Sequence, residues 1–231
     1  MPVRAVLFDF SGTLFRLEED DSWFAGMELI DDNGRRAVDE HVQAELMERL
    51  THPTGRSVTM TEENYQTWVN RDLTPALHHE AYLHALRQTG LLNEHAEALY
   101  QRTVDPGSWV PYPDTVEALS SLTSADVKTA IVSNIAFDIR PAFHSAGADA
   151  DEFVLSFEVG VVKPDPRIFE IALQRLGVEG PDAVMVGDSE ENDGAARQLG
   201  CDFILVDPLP VAERRTGLVD PLRDRGIGRW A

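Results

Sequence analysis

Short apolar segments recur along the chain, and stretches with helical periodicity separate them. The apolar segments are Ala5–Phe8, Thr129–Val132, Phe153–Leu155, Ala183–Val186 and Phe203–Val206. Continuous apolar runs of this length are typical of strands that are buried on both faces of a parallel sheet. Between two of them, Asp165 and Pro166 begin a helical pattern that Gly177 ends. Strands that alternate with helices predict an α/β fold with a doubly wound, Rossmann-like parallel sheet.

The segment between Phe15 and Ser108 has a different pattern. Apolar residues at helical spacing predict a helix over residues 35–50, a second helix is predicted to start at Thr61, and no strand is predicted. Turns that contain proline or glycine follow at residues 105–107 and 111–113. We therefore predict a discontinuous α/β core, residues 1–15 and 109–231, interrupted by a mostly helical cap domain, residues 16–108. Residues 208–231 have little periodicity, and no element is assigned to them.

The charge of the chain restricts its partners. The 231 residues include 40 acidic and 20 basic ones, a formal net charge of −20, which repels nucleic acids and anionic membranes.

No apolar run reaches the roughly 18–20 residues of a membrane span, and the first residues lead into a strand-like segment instead of a signal peptide. The single cysteine, Cys201, is expected to pack in the core of a cytoplasmic protein. Nothing in the sequence predicts an oligomeric state.

Four polar clusters follow predicted strands or precede a predicted helix. They are Asp9 with Ser11 and Thr13, Ser133-Asn134, Lys163, and Asp188 with Asp193. Ligands bind beyond the carboxyl ends of the strands in doubly wound sheets, so these clusters are expected to meet in one crevice. Each residue alone is commonly a helix cap, a turn residue or a surface lysine. Their combination instead favours transfer of an anionic group, with carboxylates for Mg²⁺, an ammonium for the substrate and a carboxylate free to attack.

These clusters resemble the four motifs of the haloacid-dehalogenase-like hydrolases. Asp9-Phe10-Ser11-Gly12-Thr13-Leu14 resembles the first motif, and Ser133 matches the second. Lys163 in Gly-Val-Val-Lys-Pro-Asp-Pro matches the third motif, and Gly187-Asp188-Ser189-x-x-x-Asp193 matches the fourth. The resemblance covers residues 1–14 and 110–207. It implies that the inserted helical segment is the family's cap, which closes over the site and selects the substrate.

The resemblance also implies a role for each motif residue. Asp9 would be the covalent nucleophile, and the metal ligands would be Asp9, the main-chain carbonyl of Ser11 and Asp188. Asp193 would orient Lys163 or a metal-bound water. The residues expected to bind the substrate are Thr13, Ser133, Asn134 and Lys163, with Thr13 also stabilising its loop. The function implied is a Mg²⁺-dependent hydrolase that acts on a small phosphorylated metabolite through an aspartyl-phosphate intermediate.

Ser11 departs from the pattern of the family's phosphatases. They have an aspartate at this position, which protonates the leaving oxygen and then activates water. A serine hydroxyl does not ionise near neutral pH, and the loss of a positioned acid/base typically costs about 10²–10⁴-fold in rate. A phosphatase with Ser11 would act on leaving groups that need no proton, such as those of acyl phosphates, or would use water or a cap residue instead. The candidate cap residues are His41, His52, His78, His79, His84 and His95.

Two alternatives to a phosphatase follow from the same substitution. The family's dehalogenases also lack the second aspartate and need no metal; Arg16, Arg35 or Arg36 could bind a substrate carboxylate, although Asp188 resembles a metal ligand. The chain could also be a weakly active or inactive binding or regulatory protein, since fold alone does not establish activity. The family's phosphonate-cleaving members need a lysine in the cap, and no lysine occurs between Phe15 and Val127.

Overall fold

A five-stranded parallel sheet forms the centre of the molecule. The computed structural model describes residues 3–18, 20, 22–31, 34–51 and 61–230. The strands of the central sheet are β1 (Ala5–Phe8), β6 (Lys128–Ser133), β7 (Glu152–Leu155), β8 (Ala183–Gly187) and β9 (Asp202–Leu205). Their order is β7-β6-β1-β8-β9, and Phe8 of β1 lies opposite Ile131 and Val186 in the two neighbouring strands. All five are parallel, as the continuous apolar runs predict.

Helices cover both faces of this sheet. The helices of the core are α5 (Thr115–Ser124), α6 (Arg140–Ala146), α7 (Ser156–Val159), α8 (Pro166–Leu176) and α9 (Val219–Asp224). Apolar residues of α5, α6 and α9 pack against one face, and those of α8 pack against the other. This arrangement confirms the doubly wound α/β class. Asp165 and Gly177 bound α8 as predicted, because the Asp165 side chain accepts a bond from the nitrogen of Arg167 and Gly177 is left-handed.

The inserted segment contains both helices and strands. Its elements, with the two strands that lead into and out of it, are β2 (Phe15–Leu17), β3 (Glu28–Asp31), β4 (Gly34–Ala37), α1 (Glu40–Thr51), α2 (Glu62–Val69), α3 (Pro75–Arg87), α4 (Asn93–Val104) and β5 (Trp109–Pro111). β2 and β5 pair antiparallel at the crossing from the core, where the predicted domain boundaries fall. Helices α1, α3 and α4 share an apolar cluster that includes Leu46, Leu86 and Leu99. The division into two domains stays a prediction.

Two sequence-based element assignments were wrong. The helix predicted over residues 35–50 begins at Glu40, because Gly34, with φ +107°, starts a strand that pairs with β3, and the Val38 nitrogen bonds the Met27 carbonyl. A strand pair therefore occurs where none was predicted. The residues between β8 and Gly200 also predict a helix that ends at Leu199, but the structure has a 3₁₀ segment there, Gly194–Leu199, which follows a turn closed by a bond from the Asp193 nitrogen to the Ser189 carbonyl.

The tail that the sequence left unassigned is part of the core. Leu218 and Leu222 are fully buried against the sheet. One carboxylate oxygen of Asp114 accepts bonds from the nitrogens of Leu218 and Val219, at 2.7 and 3.0 Å, at the start of α9. Cys201 is buried as predicted, and burial raises the pKa of its thiol to about 11, which suits packing. No helix in the described part of the chain is long and apolar enough to cross a membrane.

Candidate active site

The predicted polar clusters meet at one edge of the sheet. β1, β6 and β8 all end at a cavity of about 520 Å³. The predicted site residues that line this cavity are Asp9, Ser11, Ser133, Asn134, Lys163, Asp188 and Asp193. Residues of the inserted segment, among them Arg71, Asp72 and His78, line the cavity as well. The parallel sheet thus gathers residues that are far apart in the sequence, as its topology requires.

Lys163 joins two of the carboxylates. Its Nζ lies 2.5 Å from Oδ1 of Asp9 and 2.6 Å from Oδ1 of Asp193, and all three side chains are buried. Oδ2 of Asp193 accepts a bond of 3.0 Å from the Ser189 nitrogen. Burial lowers the pKa of Lys163, but the carboxylates of Asp193 and Asp9 outweigh it and hold that pKa above its usual value. The ammonium is therefore charged at neutral pH.

Two predicted substrate contacts are engaged with other parts of the site. Thr13 is fully buried behind Asp9, does not line the cavity, and donates a bond of 3.3 Å from Oγ1 to Oδ2 of Asp9. The side-chain amide of Asn134 bonds both main-chain groups of Lys163, accepting from its nitrogen at 2.7 Å and donating to its carbonyl at 2.9 Å. Asn134 also lines the cavity and Thr13 does not, and contact of either residue with a substrate stays a prediction. In the structure the two residues bond Asp9 and Lys163.

Two glycines make room for the carboxylates. A Cβ atom on Gly12, which has φ +77°, would lie 2.4 Å from Oδ2 of Asp188. A Cβ atom on Gly187 would lie 2.2 Å from Oδ2 of Asp193. A side chain at either position would displace a carboxylate from the cluster, since such contacts are far inside van der Waals distance. The glycines of the first and fourth motifs are therefore part of the site's construction.

Three carboxylates concentrate negative charge at the floor of the cavity. One oxygen from each of Asp9, Asp188 and Asp193 lies within 4.8 Å of the other two. Burial raises the pKa of Asp9 to about 7; Lys163 opposes this rise, and Asp193 and Asp188 add to it. Burial, with Asp193, likewise raises the pKa of Asp188 to about 6. Since one ammonium does not balance three carboxylates, the donor set fits a hard cation such as Mg²⁺.

Ser11 lies beside Asp9 on the wall of the cavity and is partly exposed. Its hydroxyl can donate or accept a hydrogen bond there. It cannot exchange a proton with a leaving group near neutral pH as a carboxylic acid does. The placement therefore leaves open which group handles protons.

One of the predicted cap histidines faces the cavity. His78 is buried in its wall, and burial lowers the pKa of the imidazole to about 3, so that it stays neutral. Of the other predicted histidines, His41 is exposed, His79 pairs with Glu97, His84 contacts Asn64 and Gln88, and His95 bonds the main chain of Glu28. His52 lies outside the described residues. None of the candidates Arg16, Arg35 and Arg36 lines the cavity.

Sequence reasoning missed three residues near the reactive groups. Arg71 and Asp72, on a 3₁₀ turn (Arg71–Leu73) between α2 and α3, line the cavity from the cap. Arg214, in the tail, is buried and donates bonds to the main-chain carbonyls of Gly12 and Thr13. No motif marks these residues, because none of them follows a strand of the central sheet, and their segments carry no pattern that predicts their position beside it.

Comparison with known proteins identifies the family. The family model for haloacid dehalogenase-like hydrolases matches residues 3–200. The chain therefore belongs to the haloacid dehalogenase-like hydrolases. It is 27% identical over 210 residues to haloacid dehalogenase-like hydrolase domain-containing protein 3 of Danio rerio, which covers 87% of this chain and 83% of the relative. It is 31% identical over 128 residues to phosphoserine phosphatase of Thermus thermophilus, which covers 53% of this chain and 51% of that enzyme.

Solved structures share the fold. The phosphatase of this family from Thermococcus onnurineus superposes with a TM-score of 0.57 at 21% identity and covers 99% of this chain and 100% of its own. The structure of a dehalogenase with an intermediate complex superposes with a TM-score of 0.59 at 22% identity, covering 89% and 85%. Likeness at this level of identity establishes the fold and does not separate the two activities.

Proposed function

We propose that the chain is a Mg²⁺-dependent phosphatase that hydrolyses a small phosphorylated metabolite through an aspartyl-phosphate at Asp9. The observation that carries this proposal is the Asp9 carboxylate, held by Lys163 beside Asp188 and Asp193 in the cavity at the ends of the central strands. A buried carboxylate next to an ammonium suits attack on a dianionic phosphoryl group, whose charge the ammonium neutralises.

The chain's own residues position the reaction. Thr13 and Lys163 fix the orientation of the Asp9 carboxylate, so that the attacking oxygen is held in place before the substrate arrives. Ser133, at the end of β6, would donate a hydrogen bond from its hydroxyl to a phosphoryl oxygen. Asn134 supports Lys163 through its main chain. Residues of the inserted segment line the cavity opposite Asp9, and closure of this segment over the substrate would strengthen these interactions by excluding water.

The donor set also supports a metal-dependent reaction. Asp9, Asp188 and the main-chain carbonyl of Ser11 would hold Mg²⁺, which supplies charge neutralisation for the transferring phosphoryl group. Asp193 is engaged on both oxygens by Lys163 and the Ser189 nitrogen, so it would support the site without a direct bond to the metal. Three carboxylates share the single ammonium of Lys163, and this excess of negative charge supports the assignment of a cation to the site.

The site favours a phosphatase over the two alternatives. The three arginines expected to bind a dehalogenase substrate's carboxylate do not line the cavity; Arg71 does, and its guanidinium suits a phosphoryl group equally well. The similarity to phosphoserine phosphatase of Thermus thermophilus supports phosphate ester chemistry, while the match covers only 51% of that enzyme and does not transfer its substrate. An inactive binding protein would have no need for a buried nucleophile, ammonium and carboxylate cluster in this arrangement.

The first prediction tests the nucleophile. Phosphate release from acetyl phosphate, p-nitrophenyl phosphate and a sugar phosphate is measured with and without Mg²⁺, for the wild type, Asp9→Asn and the surface control Asp138→Asn. We expect Mg²⁺-dependent turnover that Asp9→Asn lowers by about 10⁴-fold or more, because no other group forms the covalent intermediate. Asp138, which is exposed and pairs with Arg140, is expected to have no effect.

Three results would contradict this proposal. Failure of the wild type to turn over any of the three phosphates with Mg²⁺ would refute the phosphatase. Metal-independent release of halide from a 2-haloacid would establish the dehalogenase instead. Binding of phosphate without turnover would support a binding protein on the hydrolase scaffold.

A further inference from the structure

The site needs a group that gives and takes a proton, and Ser11 cannot be that group. Of the titratable side chains that line the described cavity, Asp9, Lys163, Asp188 and Asp193 belong to the charged cluster. Burial raises the pKa of Tyr82 to about 12 and lowers that of His78 to about 3, so neither exchanges protons near neutral pH. Glu190 is exposed and pairs with Arg197. Asp72 is the remaining carboxyl group.

The main chain of Asp72 is attached directly to the catalytic core. Its carbonyl accepts a bond of 2.6 Å from Oγ of Ser156, at the start of α7. The same hydroxyl oxygen accepts a bond of 2.9 Å from the nitrogen of Ile135, two residues after Ser133. The cap turn that carries Asp72 is thus fixed against the loop that follows β6. This contact places a cap carboxyl in the wall of the cavity that contains Asp9 and Ser11.

The Asp72 side chain is oriented by its neighbours and still available for bonding. Asp72 is 8% exposed. Nε of Arg71 lies 3.6 Å from one carboxyl oxygen and Nε2 of His78 lies 3.9 Å from the other. Both distances exceed that of a hydrogen bond, so each oxygen retains capacity for a substrate atom or a water. An aspartate that served only packing would be expected to bond its neighbours fully.

The surroundings of Asp72 favour its protonated form. Burial raises the pKa of this carboxyl, and the positive charges of Arg71 and Lys163 partly oppose the rise. The other titratable groups that face it, His78 and Tyr82, are neutral near pH 7. A buried carboxyl group whose pKa is raised by its surroundings is better suited to act as a general acid than an exposed one.

We propose that Asp72, from the cap, is the general acid and base that Ser11 cannot be. This inference rests on the proposed phosphatase function and deepens it. The two catalytic carboxyl groups then come from two parts of the chain: the nucleophile, Asp9, lies in the core, and the proton carrier, Asp72, lies in the cap. Substrates whose leaving groups need protonation would react only when the cap covers the site.

The proton balance of the two steps is complete. In the first step an oxygen of Asp9 bonds phosphorus, the ester P–O bond breaks, its electron pair stays on the leaving oxygen, and that oxygen takes the proton of Asp72. The products are an alcohol, aspartyl-phosphate and the Asp72 carboxylate. In the second step the carboxylate takes a proton from water, the water oxygen bonds phosphorus, and the P–O bond to Asp9 breaks. Phosphate leaves, and Asp72 is protonated again.

The test is Asp72→Asn, which keeps the size and the main-chain bond of the residue. For a sugar phosphate we expect kcat/KM to fall by about 10²–10⁴-fold, the usual contribution of a positioned acid. The first burst of p-nitrophenol from p-nitrophenyl phosphate should persist, because that leaving group departs without a proton, while the later steady state slows. If Asp72 is the acid, kcat/KM of the wild type should decline at high pH as Asp72 ionises, and this decline should disappear in the variant.

Controls separate this role from a structural one. Glu80→Gln, an exposed acid on α3, should leave all rates unchanged. Ser11→Asp in the Asp72→Asn background should restore sugar phosphate turnover, because an acid at position 11 replaces the lost one. If Asp72→Asn does not fold, Asp72→Glu is used instead. This variant should fold and retain the decline of kcat/KM at high pH, and absence of the decline in folded Asp72→Glu overturns the proposal.

Two outcomes overturn the inference while leaving the proposed function intact. One is Asp9-dependent turnover of the sugar phosphate that Asp72→Asn does not change in rate or pH profile. The other is an equal loss of the burst and of sugar phosphate turnover that Ser11→Asp does not rescue, since it would mark Asp72 as structural. Complete inertness of the wild type refutes the proposed function itself and is distinguishable from both.

Discussion

At the scale of single residues, Lys163 makes the carboxylate cluster possible. Two buried carboxylates share its ammonium at 2.5 and 2.6 Å, and a third, Asp188, has no such partner at hydrogen-bond distance among the described residues. Removing one member of a buried charged group is strongly destabilising because it leaves uncompensated charge. The glycines at 12 and 187 serve the same cluster by leaving space for Asp188 and Asp193.

His78 provides a prediction for the pH dependence of stability. Burial lowers the pKa of its imidazole from 6.5 to about 3 in the folded chain. Between these values the unfolded chain binds a proton that the folded chain does not, so the free energy of unfolding falls as the pH falls. The contribution is at most about 1.4 kcal/mol per pH unit. Above pH 6.5 the residue is neutral in both states and adds no slope.

The measurement is chemical denaturation of the wild type and His78→Asn between pH 4 and pH 8. Asparagine keeps a polar atom near Nδ1, which contacts the hydroxyl of Tyr100 at 3.1 Å. We expect the variant to be less stable at neutral pH and to lose part of the acid-side slope. Asp72 contributes a slope of the opposite sign in both chains, which cancels in the comparison. Equal slopes in the two chains would contradict the buried, neutral state of His78.

The reactive residues of the core could be predicted from the sequence, and those of the cap could not. Asp9, Ser133 and Asp188 follow buried strands, so the parallel topology alone brings them to one edge. Asp72 follows no strand and lies in a short 3₁₀ turn. Its position in the cavity depends on how the cap packs on the core, which involves tertiary contacts without local sequence signals.

At the scale of elements, the C-terminal residues 208–231 support the loop that follows Asp9, the proposed nucleophile. The buried guanidinium of Arg214 donates to the carbonyls of Gly12, Thr13 and Asp207 and lies 3.1 Å from the centre of the Tyr112 ring. Burial lowers the pKa of this arginine. Residues 208–231 lie beyond the part that matches the family model, which ends at residue 200. The tail is nevertheless part of the site's support.

We predict that Arg214→Met lowers the free energy of unfolding by about 3 kcal/mol, because buried carbonyls lose a charged donor. The matched control is Arg215→Met, an exposed neighbour, for which a change within about 0.5 kcal/mol is expected. Denaturation in urea gives both values. Loss of the donor should also weaken Mg²⁺ binding, measured by calorimetry, since the loop at 11–13 loses its support. Equal stability of the two variants would show that Arg214 does not hold this loop.

Strands were easier to predict than the elements of the cap. The five strands of the central sheet are continuous apolar runs, and each was found within one or two residues of its predicted range. The β3–β4 pair was not predicted, because every residue of β4 is exposed and its sequence, Gly-Arg-Arg-Ala, has no apolar alternation. The positive φ of Gly34 and the bond from the Val38 nitrogen to the Met27 carbonyl accompany the strand pair, and neither is visible as periodicity.

At the scale of the whole molecule, the cavity is complete only when cap and core are together. The core side carries Asp9, the proposed nucleophile, with Asp188 and Asp193, and the inserted segment contributes Arg71, Asp72 and His78. A chain with net charge −20 attracts an anionic substrate only through local positive charge, which Lys163 and Arg71 supply from the two sides. Binding and chemistry are therefore expected to depend on the contact between the two parts.

A substitution at Ser156 tests that contact, because the Ser156 hydroxyl donates to the Asp72 carbonyl and accepts from the Ile135 nitrogen. We predict that Ser156→Ala, which leaves two buried main-chain groups unpaired, lowers the free energy of unfolding by about 2 kcal/mol. It should also slow sugar phosphate turnover by about tenfold while the p-nitrophenol burst persists, since a displaced Asp72 affects only steps that move a proton. The matched control, Ser120→Ala on the surface of α5, is expected to alter neither. If Ser156→Ala behaves like Ser120→Ala, closure of the site does not depend on this bond, and Asp72 must be held by the cap alone.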